Sequence, residues 1–233
     1  MSTTRTYKYY DFCMAAFVCI LLCANLIGPA KATTVHLPII GSVTFLAGVL
    51  FFPISYFFGD IFTEVYGYGR DRRVVWAGFG ALVFASIMAA TVVALPPADH
   101  WIDKQSAVAA IFGSTPRIIA GSITAFWCGS FVNSFVLAKL KLLTQGRWLW
   151  TRTVGSTICG EAVDSAIFYT IAFYGNLPDD VLVALAMTQY VLKVLWEILS
   201  TPLTYAVVNW LKRIESEDYY DRGTNFTPFS LKT

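Results

Sequence analysis

Four charged residues interrupt stretches that are otherwise apolar: Glu161 and Asp164, then Lys193 and Glu197. Glu161 and Asp164 are three residues apart, Lys193 and Glu197 four, so each pair shares one face of a helix. At the middle of a bilayer each such charge costs roughly 2.5–3.5 kcal/mol on insertion scales. The four must therefore face protein rather than lipid and find partners there. Counted inward from the turn at 176–180, Asp164 lies level with Lys193. Glu161 and Glu197 lie about one turn further in, at about 1.5 Å per residue. Three carboxylates against one ammonium leave an acidic excess. A lock that only joins two helices has no need of it. A bound proton, a cation or a ligand rich in hydrogen-bond donors would balance it.

A second constellation is Asp60 and Glu64, four residues apart, with Pro53 and Gly59 before them. Those two residues allow a break in the helix, and broken helices expose backbone polar groups beside a cavity. The plainer reading is a helix end whose acids pair with Arg70, Arg72 or Arg73. Trp127, Asn133, Gln189 and Trp196 add rings and amides at predicted membrane depth. Such groups suit a planar hydrogen-bonding ligand, since rings stack and amides read donor–acceptor edges. Singly, each also serves as packing or as an interface anchor.

Other chemistries are poorly supplied. Cys13, Cys19, Cys23, Cys128 and Cys159 all lie in apolar runs with no CxxC, so they read as small packing residues. The two histidines, His36 and His100, fall in predicted connections, and no metal or cofactor set emerges. Val65-Tyr66-Gly67-Tyr68-Gly69 has the look of a potassium filter, but Arg70, Arg72 and Arg73 follow at once and would repel a cation. Asp60 and Asp164 lack the sequence context of an intramembrane aspartyl protease, and no nucleophile–base pair marks an enzyme.

These residues need elements to hold them. Of 233 residues, 56% are hydrophobic and only 14% charged, and mean hydropathy is +0.59. A soluble domain is roughly 25% charged, so a soluble enzyme and a nucleic-acid-binding domain are excluded, and the bilayer is the expected solvent. A bilayer core needs about 20 apolar helical residues. Six runs qualify, at about 12–30, 37–58, 74–95, 118–138, 153–175 and 181–210, predicting one all-α integral membrane domain. Residues 96–117 predict a short amphipathic or irregular external segment. Arg5 and Lys8 before an apolar run that ends at Ala30-Lys31-Ala32 have signal-peptide grammar. The run is long enough to cross, and it is read as the first span. Small residues Gly155, Ser156, Gly160 and Ala162 permit close helix approach, either within the chain or at a homodimer seam.

Charge sets the orientation. One side collects Arg5, Lys8, Arg70, Arg72, Arg73, Lys139, Lys141, Arg147, Arg152, Lys212, Arg213, Arg222 and Lys232. The other has Lys31, Lys104 and Arg117. Cytoplasmic loops carry the excess of Lys and Arg, so both termini are expected in the cytoplasm.

The chain resembles the queuosine precursor transporter family over nearly its whole length. The resemblance rests on Phe52-Pro53-Ile54-Ser55-Tyr56, Gly59-Asp60-Ile61 and Thr63-Glu64-Val65-Tyr66-Gly67-Tyr68, followed by Arg72-Arg73. It continues through Gly155-Ser156-Thr157, Gly160-Glu161, Asp164-Ser165 and Ala172-Phe173-Tyr174-Gly175. It ends with Lys193-Val194, Glu197, Thr201-Pro202-Leu203-Thr204-Tyr205 and the tail from Glu217 to Phe229. The resemblance implies a six-helix bacterial inner-membrane importer. Its ligands would be 7-deazaguanines: 7-cyano-7-deazaguanine, 7-aminomethyl-7-deazaguanine, and queuine in some members. Asp60, Glu64, Glu161, Asp164, Lys193 and Glu197 all fall within the shared strings. A secondary carrier or facilitator is the leading expectation. A substrate-binding subunit of a multi-subunit vitamin importer is the alternative.

Overall fold

The computed structural model describes residues 6–27, 31–37, 41–113 and 116–230. The chain runs through α1 (Tyr10–Leu26), a hairpin of β1 (Ala32–Leu37) and β2 (Gly41–Leu46), then α2 (Phe52–Ile61). It continues through α3 (Tyr68–Ala94), α4 (Ile102–Phe112), α5 (Pro116–Leu143), α6 (Leu149–Phe173) and α7 (Asp179–Glu215). A π-helical turn, Phe62–Tyr66, joins α2 to α3. By length and composition, three segments are apolar enough to cross a membrane: Tyr68–Ala94, Asp99–Leu143 (which includes α4 and α5) and Asp179–Glu215.

The expected helix over 37–58 is corrected. Its first part is strand β2 and a short 3-10 turn at Ala47–Leu50, and α2 starts only at Phe52. The hairpin pairs Thr33 with Phe45, Thr34 with Thr44 and Val35 with Val43. β-branched residues fit a pleated ladder, and a short apolar run does not reveal by periodicity whether it is strand or helix. Pro53, in the first turn of α2, removes an N–H that has no helical partner there. Residues 38–40 of that expected span, and 28–30 of the first, lie outside the described residues. α1 is shorter than the run expected over 12–30, the helices expected over 74–95, 118–138, 153–175 and 181–210 are present with longer bounds, and α4 occupies the predicted external segment.

α6 packs along α5 over most of its length, and α7 lies against α6 and α2. Gly129 and Gly160 allow the first contact. A Cβ on Gly160 would sit 2.8 Å from Asn133 Cβ, and one on Gly129 would sit 2.8 Å from Asp164 Cβ. Gly155 likewise faces Leu140 of α5. These glycines are therefore used inside the chain, where they seat Asn133 and Asp164 against the facing helix.

Both chain ends meet at one end of the bundle. The Glu215 carboxylate accepts the backbone N–H groups of Lys8 (3.0 Å) and Tyr9 (2.7 Å), just ahead of α1. The tail after α7 then folds back over the start of α3. Asp221 accepts the Tyr68 N–H, Arg72 donates to the carbonyls of Asn225 (2.8 Å) and Thr227 (2.6 Å), and Trp76 donates to that of Pro228. Beneath it, Phe17, Phe62, Tyr66 and Phe126 join an aromatic core. At the opposite end, Arg117 of α5 donates to the carbonyls of Ile171 and Tyr174, tying α5 to the end of α6.

Candidate functional site

The π turn separates the two acids that the sequence placed together. Asp60 remains at the end of α2 and points to α5, where Asn133 Nδ2 donates to its Oδ1 at 2.8 Å. Glu64 lies within the π turn and is fully buried. Arg152 reaches it twice, from Nη2 to Oε1 at 2.8 Å and from Nε to Oε2 at 3.1 Å. Lys212 Nζ stands 2.6 Å from the same Oε1 and Lys141 Nζ 3.6 Å. Asp218, from the tail, joins Lys141 at 2.6 Å and Lys212 at 2.8 Å. The expected partners Arg70, Arg72 and Arg73 are not the ones Glu64 takes. It is the hub of a brace joining α5, α6, α7 and the tail.

α6 and α7 bring the second group together. Lys193 Nζ lies 2.6 Å from Asp164 Oδ2 and 2.7 Å from Glu161 Oε2. The Asp164 contact is a hydrogen bond, while the Glu161 contact is an ion pair without hydrogen-bond alignment. The ammonium also sits over the rings of Phe52 (5.2 Å) and Tyr56 (5.6 Å) of α2. Glu197 is one turn further along α7, 1% exposed, and neither of its oxygens meets a donor among the described residues. It lies within electrostatic reach of both Glu161 and Asp60. Pro202 lies inside α7 just after Glu197 and cannot donate within the helix. Ser200 and Thr201 hydroxyls donate to the Glu197 carbonyl there.

Glu161 and Asp164 therefore share one cation, Lys193, while Asp60 and Glu197 lie in the same interior with no cation paired to them among the described residues. Tyr56 Oη, Asp60 Oδ2, Asn133 Oδ1 and Ser165 Oγ are also buried without a hydrogen bond among the described residues. Beside them a narrow cavity is bounded by Ser55, Tyr56 and Gly59 of α2, Asp71 of α3, and Asn133 and Ser134 of α5. Its water-accessible core of ≈ 10 Å³ has room for about one water. A Cβ on Gly59 would meet nothing within 4 Å.

The remaining candidates are apart from this group. Trp127 meets Trp76 (5.7 Å) and Phe131 (5.0 Å) edge-on and the tail residue Phe229 (5.8 Å) at a tilt, packed against the aromatic core. Gln189 and Trp196 are half-buried on α7, and neither has a hydrogen bond among the described residues. Sequence reasoning missed Tyr56, Asp71, Lys141 and Arg152. Asp71 is fully buried, bonded by Ser134, and Lys141 and Arg152 are each 1% exposed. They sit where loops were expected, but α3, α5 and α6 extend past the apolar runs and carry them inward.

A helical bundle with apolar outer faces and an acidic interior astride broken helices is the architecture of a membrane transporter. The chain belongs to the family described as "putative vitamin uptake transporter", which it matches over residues 46–207. It is 32% identical over 186 residues to the "Probable queuosine precursor transporter" of Bacillus subtilis (strain 168), covering 79% of this chain and 78% of that one. No solved structure matches it.

Proposed function

We propose that the chain is a six-span secondary carrier or facilitator that imports queuosine precursors across the bacterial inner membrane, with both termini in the cytoplasm. The single observation that carries this reading is Glu197, a buried carboxylate whose oxygens meet no donor among the described residues. A guanine-type edge presents N1–H and a 2-amino group side by side, and one carboxylate can accept both. Glu161 is already engaged by Lys193, which leaves Glu197 as the edge reader. Asn133, with its free Oδ1 and its bond to Asp60, is placed to read the neighbouring polar atoms. The acidic excess also suits the ammonium of 7-aminomethyl-7-deazaguanine.

The cavity is far smaller than the 300 Å³ or more typical of ligand pockets, so this conformation is occluded. Loading requires α2 and α7 to part, and Lys193 is the clasp between α6 and α2. Glu64 stays with the brace. Trp127, Gln189 and Trp196 belong to the site only if that opening brings them in.

The test is uptake of 7-cyano-7-deazaguanine into liposomes holding this chain alone. Saturable uptake that is lost in Glu197→Gln, with folded protein retained, supports the reading. Undiminished uptake in both Glu197→Gln and Glu161→Gln refutes the carboxylate assignment. Tight binding without uptake by the single chain favours a binding subunit that needs energising partners.

A further inference from the structure

A second cavity opens at the end of the bundle where both termini lie. It is half-open and ≈ 320 Å³ in volume, enough for a small organic ligand. The end of the π turn and the first turn of α3 form its floor, with Tyr66, Gly69 and Arg70. The returning tail forms its wall, with Tyr219, Arg222 and Thr224. Two arginines line it and no acid does.

Arg70 is held rather than splayed into solvent. Its guanidinium carbon lies 4.6 Å over the Tyr7 ring and 5.7 Å over the Tyr219 ring, and Nη1 donates to the Tyr66 carbonyl at 3.2 Å. A guanidinium has five N–H donors, so most of its hydrogen-bonding capacity remains. No carboxylate lies within ion-pair distance of Arg70 or Arg222 among the described residues. The acids nearby are turned elsewhere. Asp221 is 2% exposed with both oxygens on the Tyr68 N–H, and Glu217 accepts from Tyr7 Oη at 2.7 Å. The Gly69 amide, in the first turn of a 27-residue helix, adds an N–H without a helical partner.

We propose that this cavity binds the phosphate of a phosphate ester, gripped by Arg70 and Arg222, with the organic part against Tyr219. A pre-oriented guanidinium fork matches phosphate oxygens two at a time, and the cavity is larger than a bare phosphate requires. The same chemistry comes from two sources, the headgroup of an anionic phospholipid or a soluble phosphate ester. In either case the ligand bridges α3 and the tail, so binding also fastens the tail.

The experiment uses the full chain in neutral detergent at moderate salt. Phosphatidylglycerol, phosphatidylcholine and glycerol 3-phosphate are titrated separately, reading retained ligand by native mass spectrometry and tail cleavage by protease. Phosphatidylglycerol or glycerol 3-phosphate is expected to bind saturably and slow cleavage after α7, and which of the two does so identifies the source. Arg222→Gln, on an exposed side chain, should weaken that binding about tenfold, since it removes one of the two charged donors that hold the phosphate. Arg70→Gln with Arg222→Gln should abolish it. Saturable binding by neither phosphate probe, equal binding of phosphatidylcholine, or binding unchanged in Arg222→Gln overturns the proposal.

Discussion

Glu64→Gln should be among the most damaging single changes in this protein. The carboxylate is fully buried and takes three hydrogen bonds from cations: two from Arg152 at 2.8 and 3.1 Å and one from Lys212 at 2.6 Å. Glutamine keeps one acceptor oxygen but turns an NH₂ donor toward guanidinium or ammonium. Arg152 is 1% exposed and cannot rehydrate in place. Lys212 retains a side chain 20% exposed and the contact with Asp218, so its share of the loss is softened by solvent. Removing one partner of a buried pair costs about 3–5 kcal/mol, a drop of more than about a hundredfold in the folding equilibrium. Reversible unfolding in mixed micelles measures it. Adding Lys212→Gln should recover part of the loss by removing one uncompensated cation. A loss below about 1 kcal/mol, or a double variant as unstable as the additive sum, would refute the brace. Ligand affinity per folded molecule should stay within about twofold of wild type, unlike that of Glu197→Gln, because Glu64 is fully buried among its own cations and lines neither cavity.

Three further outcomes follow from the same geometry. Gly59→Ala should fold as well as wild type or better by about 0.5–1 kcal/mol, since its Cβ meets nothing and alanine favours a helix, yet it should lower uptake by narrowing the cavity; unchanged transport kinetics would count against that cavity as the route. Gly67→Ala should loosen the tail, because φ is +85° and the new Cβ would lie 2.2 Å from the Tyr219 ring; limited proteolysis after residue 216 reads this, and Tyr219→Ala in the same chain should relieve the clash but not the strained φ. For Asp218, burial pushes the carboxyl up, but hydrogen bonds from Lys141 and Lys212 outweigh it and hold the group below its ordinary 3.8. A depressed carboxyl stabilises the docked tail above its unfolded value and loses that contribution as pH falls through the folded one. Hydrogen-exchange protection in the tail, taken relative to the intrinsic rate at each pH, should therefore be flat from neutral pH down to about 4 and fall only in stronger acid, with the fall absent in Asp218→Asn.

Much of the architecture was legible in the residues. Apolar runs of membrane length located α1, α3, α5, α6 and α7, because insertion into lipid depends on local composition. The depth count placed Asp164 level with Lys193, and their atoms meet at 2.6 Å, since two antiparallel helices joined by a tight turn keep equal rise per residue. The hairpin was not legible. Residues 37–50 are apolar in a way that fits strand or helix, and Thr34–Thr44 and Val35–Val43 pairing is a cross-chain property. The partners of Glu64 were also hidden. Arg70, Arg72 and Arg73 were nearest in sequence, whereas Arg152 and Lys212 are 88 and 148 residues away.

The sequence by itself determined a chain that must live in a membrane and bury an acidic excess. Those are sums over local transfer free energies, and no fold is needed to compute them. Tertiary structure alone decided which acids are spent and which are left open. The π turn rotates Glu64 away from Asp60 into three cations, and the Gly129–Gly160 crossing sets Asn133 against Asp60. Glu197 is left in the interior without a donor. An ion pair forms at a few ångströms between residues from distant parts of the chain, and only packing brings them there.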